Sequence, residues 1–425
     1  YGIEYEEFPS QIAQVAMWLM DHQMNGLASL GFGKYYKRIP LVKSATIKHG
    51  NALQVDWQSL IDPLPWEKGV QKFDFIFGNP PFVGKHLMNA QQKADMGLIF
   101  NGVNGAGVLD YVTAWYIKAA NYMKEYNFIE QTEDTSIDLP LRRTLVQYNN
   151  TQQTKTAFVS TNSIAQGEQV GILWNELFNK YKIKIHFAHR TFKWGNEARG
   201  NAAVHVVIIG FGNFEVNDKV IYEYENIKAE PHEVKVKNIN PYLVEGKDFP
   251  ISTRKKSISN VPEMVKGSQP TDDGNLLMAD AEKNIFLKDE PQAEKFIKPF
   301  VSAREFLNNQ KRWCFWLVNA NPSELKQCPN LLKRIEAAKQ FRLKSTKAAT
   351  VKWANMPSLF TENRQPKSQY ILIPRHSSEN RKYIPFGFYE PEYIVADSCN
   401  SIPNATQYHF GILSSLMHNV WIKYV

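Results

Sequence analysis

The segment Phe73-Asp74-Phe75-Ile76-Phe77-Gly78-Asn79-Pro80-Pro81-Phe82 limits the fold of this chain more than any other. A short, nearly continuous apolar run ending in glycine reads as a parallel strand buried on both faces. The two prolines fix their own backbone angles and restrict the residues before them, so the strand has to stop at Asn79. The flanking sequence alternates as an α/β sheet requires. Ile12, Val15, Ala16 and Leu19 recur at helical spacing after Pro9-Ser10, and Tyr1-Gly2-Ile3-Glu4 before them looks like the tail of a strand. Leu109, Val112, Trp115, Tyr116, Ala119 and Met123 mark one face of a second helix.

Further strands are predicted at residues 156–160, 183–187 and 204–209, with a helix around residues 169–181. No helix fits between the last two strands, which predicts antiparallel pairing. The polar residues 126–153 read as an excursion from the sheet. From about Asn213 prolines and turns such as Asp272-Asp273-Gly274-Asn275 take over. The expected organisation is therefore an α/β domain at residues 1–214, a linker at 215–260 and a second domain at 261–425.

The charge is uneven. Of a net +8, the excess concentrates in residues 304–382, where 16 Lys or Arg stand against 5 Asp or Glu, interleaved with Trp313, Trp316, Phe341, Trp353 and Tyr370. A polyanion is the natural partner of such a stretch, and Arg375, Arg381 and Lys382 are the candidates within it for phosphate or base contacts. Cys314, Cys328 and Cys399 are an odd set without a Cys-x-x-Cys pair and read as reduced thiols. His186, His189 and His205 fall in predicted strands or at their ends without a carboxylate or thiolate cluster, so no metal is expected. With no apolar run near the ~20 residues that span a bilayer and no signal-peptide start, a cytoplasmic location is expected.

Asn79 carries the chemistry. An exocyclic adenine amine is a poor nucleophile because its lone pair is delocalised into the ring. It reacts only when both hydrogens are engaged and the lone pair is aimed at the electrophile. The Asn79 side-chain oxygen and the Pro80 carbonyl can accept one hydrogen each, and Pro80 and Pro81 fix the backbone so that these acceptors converge. Phe82 offers a flat face to the base. Glu4, at the end of a strand, can accept both hydroxyls of a nucleoside ribose, and Asn51 can meet an adenine edge.

These stretches resemble the amino-methyltransferases that act on adenine: residues 75–82 as motif IV, Gly2-Ile3-Glu4 as motif II and Gly50-Asn51-Ala52-Leu53 as motif III. Residues 160–170 and 188–194, followed by Gly267-Ser268-Gln269-Pro270, residues 312–317 and residues 377–385, are similar to the MmeI-like (type IIL) restriction-modification enzymes across nearly the whole chain. The resemblance implies a class I, Rossmann-like methyltransferase sheet followed by an α+β target recognition domain. It implies S-adenosylmethionine as cofactor, with Glu4 on its ribose and Asn51 on its adenine, and double-stranded DNA as partner. Asn79, Pro80, Pro81 and Phe82 would hold a flipped adenine, and Phe192 or Trp194 would supply the opposite wall.

The family's glycine-rich motif I, after the first strand, has no counterpart. Gly31-Phe32-Gly33 and residues 102–107 are the candidates, and neither follows a convincing strand. The expectation is a sheet incomplete at its N-terminus, with an upstream segment or partner chain supplying the motif I strand and loop. No Asp…Glu-x-Lys nuclease constellation is found. A piece acting only as a DNA-binding module, or an enzyme modifying an RNA adenine or a protein glutamine, are the alternatives; the long basic second domain favours DNA.

Overall fold

The Phe75–Gly78 segment is one strand of a six-stranded sheet in the computed structural model, which describes residues 1–33, 46–61, 71–124, 153–194, 204–254, 256–378 and 381–424. The contacts divide the chain into two units, Tyr1–Arg254 and Lys255–Tyr424. The excursion predicted at residues 126–153 lies, but for its last residue, outside the described residues.

The first unit runs β1 (Gly2–Glu4), α1 (Glu7–Phe32), β2 (Ile47–His49), β3 (Phe75–Gly78), α2 (Ala90–Ile99), α3 (Thr113–Met123), β4 (Lys155–Thr161), α4 (Gly167–Asn175), β5 (Lys184–Trp194), β6 (Val204–Gly212), β7 (Lys219–Glu223) and β8 (His232–Val236). β1 and β2 pair in parallel as a sheet of their own, and the others form one sheet in the order β3-β4-β6-β5-β7-β8. β3 and β4 are parallel. β5 and β6 are antiparallel, as their short connection predicts.

One face of the large sheet is well covered. Phe158, Ala188, Ile209, Phe211 and Ile221 pack with Tyr116 of α3 and Leu173 and Trp174 of α4. Tyr116 stacks on Phe211 at 5.1 Å, and its hydroxyl is 2.8 Å from Ser160 Oγ, which satisfies the buried phenol. Each such aromatic contributes about 4–6 kcal/mol of gross burial, from its area and an upper-bound transfer coefficient.

The other face differs from the expectation. Among the described residues β3 is an edge strand, and Phe75 and Phe77 are 68% and 85% exposed, so these residues do not bury it on both faces. Nor is the stripe of α1 covered by described residues: Ile12, Val15 and Leu19 are 53%, 52% and 60% exposed. The apolar pattern identifies the strand and the helix, but pattern alone does not say what lies opposite.

The linker expected at residues 215–260 is corrected. β7 and β8 extend the sheet, Ile239, Tyr242 and Leu243 join the core, and the first unit continues to Arg254. Charged residues hide the alternation. Lys219 is 2% exposed, its ammonium held by Asn238 Oδ1 and Glu215 Oε1, both at 2.7 Å. Gly171 lets the Ile251 carbonyl approach α4, because a Cβ there would stand 2.4 Å from that oxygen.

The second unit contains β9 (Val265–Lys266), β10 (Leu277–Ala279), α5 (Asp280–Asp289), β11 (Ile297–Val301), α6 (Ala303–Asn308), β12 (Arg312–Phe315), α7 (Pro322–Leu325), α8 (Pro329–Leu343), α9 (Ala348–Lys352), β13 (Tyr370–Pro374), β14 (Gly387–Tyr389), β15 (Ile394–Val395), β16 (Cys399–Pro403), α10 (Gln407–Ser414) and α11 (Leu416–Tyr424). Its sheets are ordered β10-β12-β11-β15 and β14-β13-β16-β9, the α+β arrangement expected. Arg342 of α8 is fully buried and donates five hydrogen bonds of 2.8–3.1 Å to the carbonyls of Pro270, Thr271, Trp353, Met356 and Leu359. The three cysteines are buried and free. Among the described residues no helix is long and apolar enough to cross a membrane, and no group of three potential metal ligands occurs.

Candidate active site

β3 delivers Asn79 to its carboxyl end, where the Pro-Pro pair turns the chain away from the sheet. Asn79 is exposed, Pro80 buried, Pro81 exposed and Phe82 half-buried. The Val83 amide donates to the Pro81 carbonyl at 3.1 Å, and the Val83 carbonyl accepts the Tyr111 amide at 2.9 Å, so the loop is tied to the chain entering α3. Among the described residues no side chain or backbone group hydrogen-bonds the Asn79 carboxamide. A prominent, uncommitted acceptor on a rigid loop is what capture of an amine requires.

Polar groups brace this loop from below. Oδ2 of Asp110 accepts from Ser163 Oγ at 2.5 Å and Thr161 Oγ1 at 3.1 Å, and the Asp110 amide donates to Gln169 Oε1 at 3.1 Å. Gly84 lies over the other carboxylate oxygen, which would be 3.7 Å from a Cβ.

β1 and β2 end side by side, Glu4 opposite His49, with the Gly50 amide donating to the Glu4 carbonyl at 2.9 Å. Glu4 and Asn51 are thereby brought to one end of this small sheet. Glu4 is half-buried; its Oε1 accepts the Tyr5 and Glu6 amides at 2.9 and 3.3 Å. Among the described residues Oε2 has no donor, so one carboxylate oxygen stays available to a diol.

The Asn51 carboxamide is largely committed within the protein. Its oxygen accepts the Leu53 amide at 3.0 Å, and its nitrogen donates to Asp95 Oδ2 at 2.9 Å. Asn51 therefore shapes the turn at residues 51–55 more than it offers an open edge. The turn is braced further by Trp57 Nε1 on the Ala52 carbonyl at 2.9 Å and Lys118 Nζ on the Leu53 carbonyl at 3.1 Å. Burial holds the Lys118 ammonium below its ordinary pKa, with Asp56 opposing that shift.

Asp95 is not singled out by sequence reasoning. It is 2% exposed and also accepts from Gln54 Nε2 at 2.9 Å, Gln91 Nε2 at 3.2 Å and the Tyr111 hydroxyl at 2.8 Å. Burial raises its pKa, but these donors and Asn51 together outweigh that and hold it below the ordinary carboxylate value.

Phe192, after a bulge in β5, is half-buried and stacks on Tyr224. The Trp194 side chain lies outside the described residues. In the second unit Arg375, Arg381 and Lys382 are all exposed on the connection between β13 and β14, with Lys382 Nζ 5.5 Å from the centre of the Tyr383 ring. Of the two glycine-rich candidates, Gly33 is the left-handed cap ending α1, and residues 102–107 follow α2, so neither leaves a strand as a cofactor loop does.

Comparison with known proteins accounts for both units. Residues 1–134 and 142–223 match the family described as MmeI, DNA-methyltransferase domain, and residues 245–425 match MmeI, target recognition domain. The chain is 36% identical over 427 residues to DNA methyltransferase A of Bacillus subtilis (strain 168), covering 100% of this chain and 44% of that protein. It superposes with a TM-score of 0.80 and 46% identity on the type IIL restriction-modification enzyme MmeI solved in complex with DNA, covering 100% of this chain and 52% of that one. The chain thus spans about half the length of the relatives it matches. With a methyltransferase-type domain carrying Asn79-Pro80-Pro81-Phe82, followed in sequence by a target recognition domain, the chain belongs to the MmeI DNA methyltransferase family.

Proposed function

We propose that this chain forms the base-binding and DNA-reading part of a site-specific DNA adenine-N6 methyltransferase from a restriction-modification system. The observation that carries the reading is the exposed, uncommitted Asn79 carboxamide at the end of β3, on a loop locked by two prolines and the Val83–Tyr111 hydrogen bond.

The Asn79 oxygen and the Pro80 carbonyl accept the two hydrogens of an adenine amine, which directs its lone pair out of the base plane. Phe82 holds one side of the flipped base and Phe192, or Trp194, the other. S-adenosylmethionine supplies a methyl group on a positively charged sulfur, and the residues present fit its nucleoside: Glu4 retains an oxygen for ribose hydroxyls, and the turn at Asn51 borders the adenine. When bound, the cofactor would supply that methyl group to the amine held by Asn79 and Pro80, and the amine's surplus proton would pass to solvent at the exposed loop. Binding to duplex DNA falls to the second unit, with Arg375, Arg381 and Lys382 on phosphate or base edges.

The open edge of β3 and the separate β1–β2 pair favour a further strand between them, from another segment or a partner chain, bearing the loop for the methionine part of the cofactor. The same observation supports a second reading, in which this piece alone only binds DNA. Incubating duplex DNA with tritiated cofactor, using this chain and the complete enzyme, separates the two. Label from the complete enzyme in N6-methyladenine, identified by nucleoside mass spectrometry, is the expected result; label in another nucleoside, in RNA or in protein refutes the adenine assignment.

A further inference from the structure

Between the turn at Asn51 and the loop at Asn79 runs one continuous set of hydrogen bonds. Asn51 Nδ2 and the Tyr111 hydroxyl donate to the same oxygen, Asp95 Oδ2, at 2.9 and 2.8 Å. The Tyr111 amide then donates to the Val83 carbonyl at 2.9 Å, and the Val83 amide to the Pro81 carbonyl at 3.1 Å. We infer that Tyr111 and Asp95 are positioning residues that couple the two halves of the site, so that filling the cofactor turn fixes the base loop and the reverse.

Three features make this set a link rather than ordinary packing. An ionised carboxylate accepts several donors at once, whereas a carboxamide in its place would turn an NH2 group either toward Asn51 Nδ2 and the Tyr111 hydroxyl or toward the amides of Gln54 and Gln91. The Tyr111 ring is 4% exposed and meets Trp115 edge-on at 5.1 Å, so it cannot swing aside. Asp95 is carried on α2, the helix following the base loop, and its first turn is locked by reciprocal Asn89 and Gln92 bonds. A shift of the Asn51 turn therefore has a stiff route to Val83. By thermodynamic linkage, any tightening that DNA gives the cofactor, the cofactor gives DNA.

The inference rests on the reading proposed above, and the test separates the two. With the complete enzyme, the recognised site is mapped from methylated product DNA. The dissociation constant of S-adenosylhomocysteine is then measured calorimetrically with and without a duplex bearing that site. In Tyr111→Phe, which removes one oxygen atom, the affinity without DNA should stay within about threefold, the scale of a single hydrogen bond. The tightening caused by DNA should fall by about tenfold. Asp95→Asn should lose the tightening and weaken binding without DNA as well. An undiminished tightening in Tyr111→Phe overturns the link, as does a wild-type enzyme whose cofactor affinity ignores DNA. Failure of Tyr111→Phe to fold, read by circular dichroism, would assign the hydroxyl to stability and overturn it too. Asn51→Ala with unchanged S-adenosylhomocysteine affinity would instead reject the cofactor reading itself.

Discussion

Phe192 stacks on Tyr224 with ring centroids 5.2 Å apart and planes 17° apart, and the Tyr224 hydroxyl lies 2.8 Å from His189 Nδ1. On the proposed reading, a base resting on Phe192 would meet a wall that is itself backed. Tyr224→Ala should slow methyl transfer about two- to tenfold, the worth of one aromatic pair. Phe192→Ala should cost roughly five- to 150-fold, the worth of a stacked base. Full activity in Phe192→Ala, with loss in Trp194→Ala, would move the wall to Trp194.

On the proposed reading, Asn79→Ala would remove the side-chain acceptor for the adenine amine. Transfer should drop at least ~100-fold, as for loss of a preorganised polar group, with duplex DNA binding within about twofold. Asn79→Asp keeps an acceptor oxygen and should retain measurable turnover. Steady-state kinetics and a binding titration on the same preparations check both, and an active Asn79→Ala enzyme would falsify the role given to Asn79.

Legibility follows the range of the interaction. β3 and its Pro-Pro stop, the short antiparallel β5–β6 connection and the amphipathic α3 are readable because their causes lie within a few residues of one another. β7 and β8 escape notice because Lys219, Glu233 and Lys235 obscure the alternation, and one of the two partners that hold the buried Lys219, Asn238, is distant in sequence. Asp95 gives no local signal either: its partners Asn51 and Tyr111 stand 44 and 16 residues away. The commitment of the Asn51 carboxamide to Leu53 and Asp95 is invisible for the same reason. The Asn79 loop is legible as a motif, but its tie to Tyr111 is not.

The depressed pKa of Asp95 has a definite pH consequence. A carboxyl that binds its proton less readily when folded contributes stability fully above its unfolded pKa, about 3.9, and loses it as pH falls through the lower folded value. The stability gap between the wild type and Asp95→Asn should be constant near neutrality and narrow only below about pH 4. Urea titrations from pH 7 to pH 3 test this, and a gap that widens with acid contradicts the sign.

Arg375, Arg381 and Lys382 are exposed on one connection of the second unit. Replacing each with alanine should reduce the slope of log affinity against log salt by about 0.9 for every phosphate that is no longer neutralised. A residue that reads a base instead should relax site preference while leaving the slope nearly unchanged. If both slope and preference survive the triple replacement, this connection does not touch DNA.

Arg342→Met removes five hydrogen bonds, and of the five carbonyls those of Trp353 and Met356 keep a second donor, the Met356 and Leu359 amides. The second unit should lose about 3–5 kcal/mol, as when one partner of a buried charged group is removed. Denaturant melts followed by hydrogen exchange should show the loss within residues 255–424, with β4 and β6 still protected. Equal weakening of both units would mean that they unfold together.

Among the described residues, Arg342 hydrogen-bonds to main chain alone. Because its five acceptors are backbone carbonyls, the hub is indifferent to which side chains stand at residues 270, 271, 353, 356 and 359, provided the backbone keeps its course. A unit pinned this way can take new side chains at those five positions without losing the hydrogen bonds at its centre.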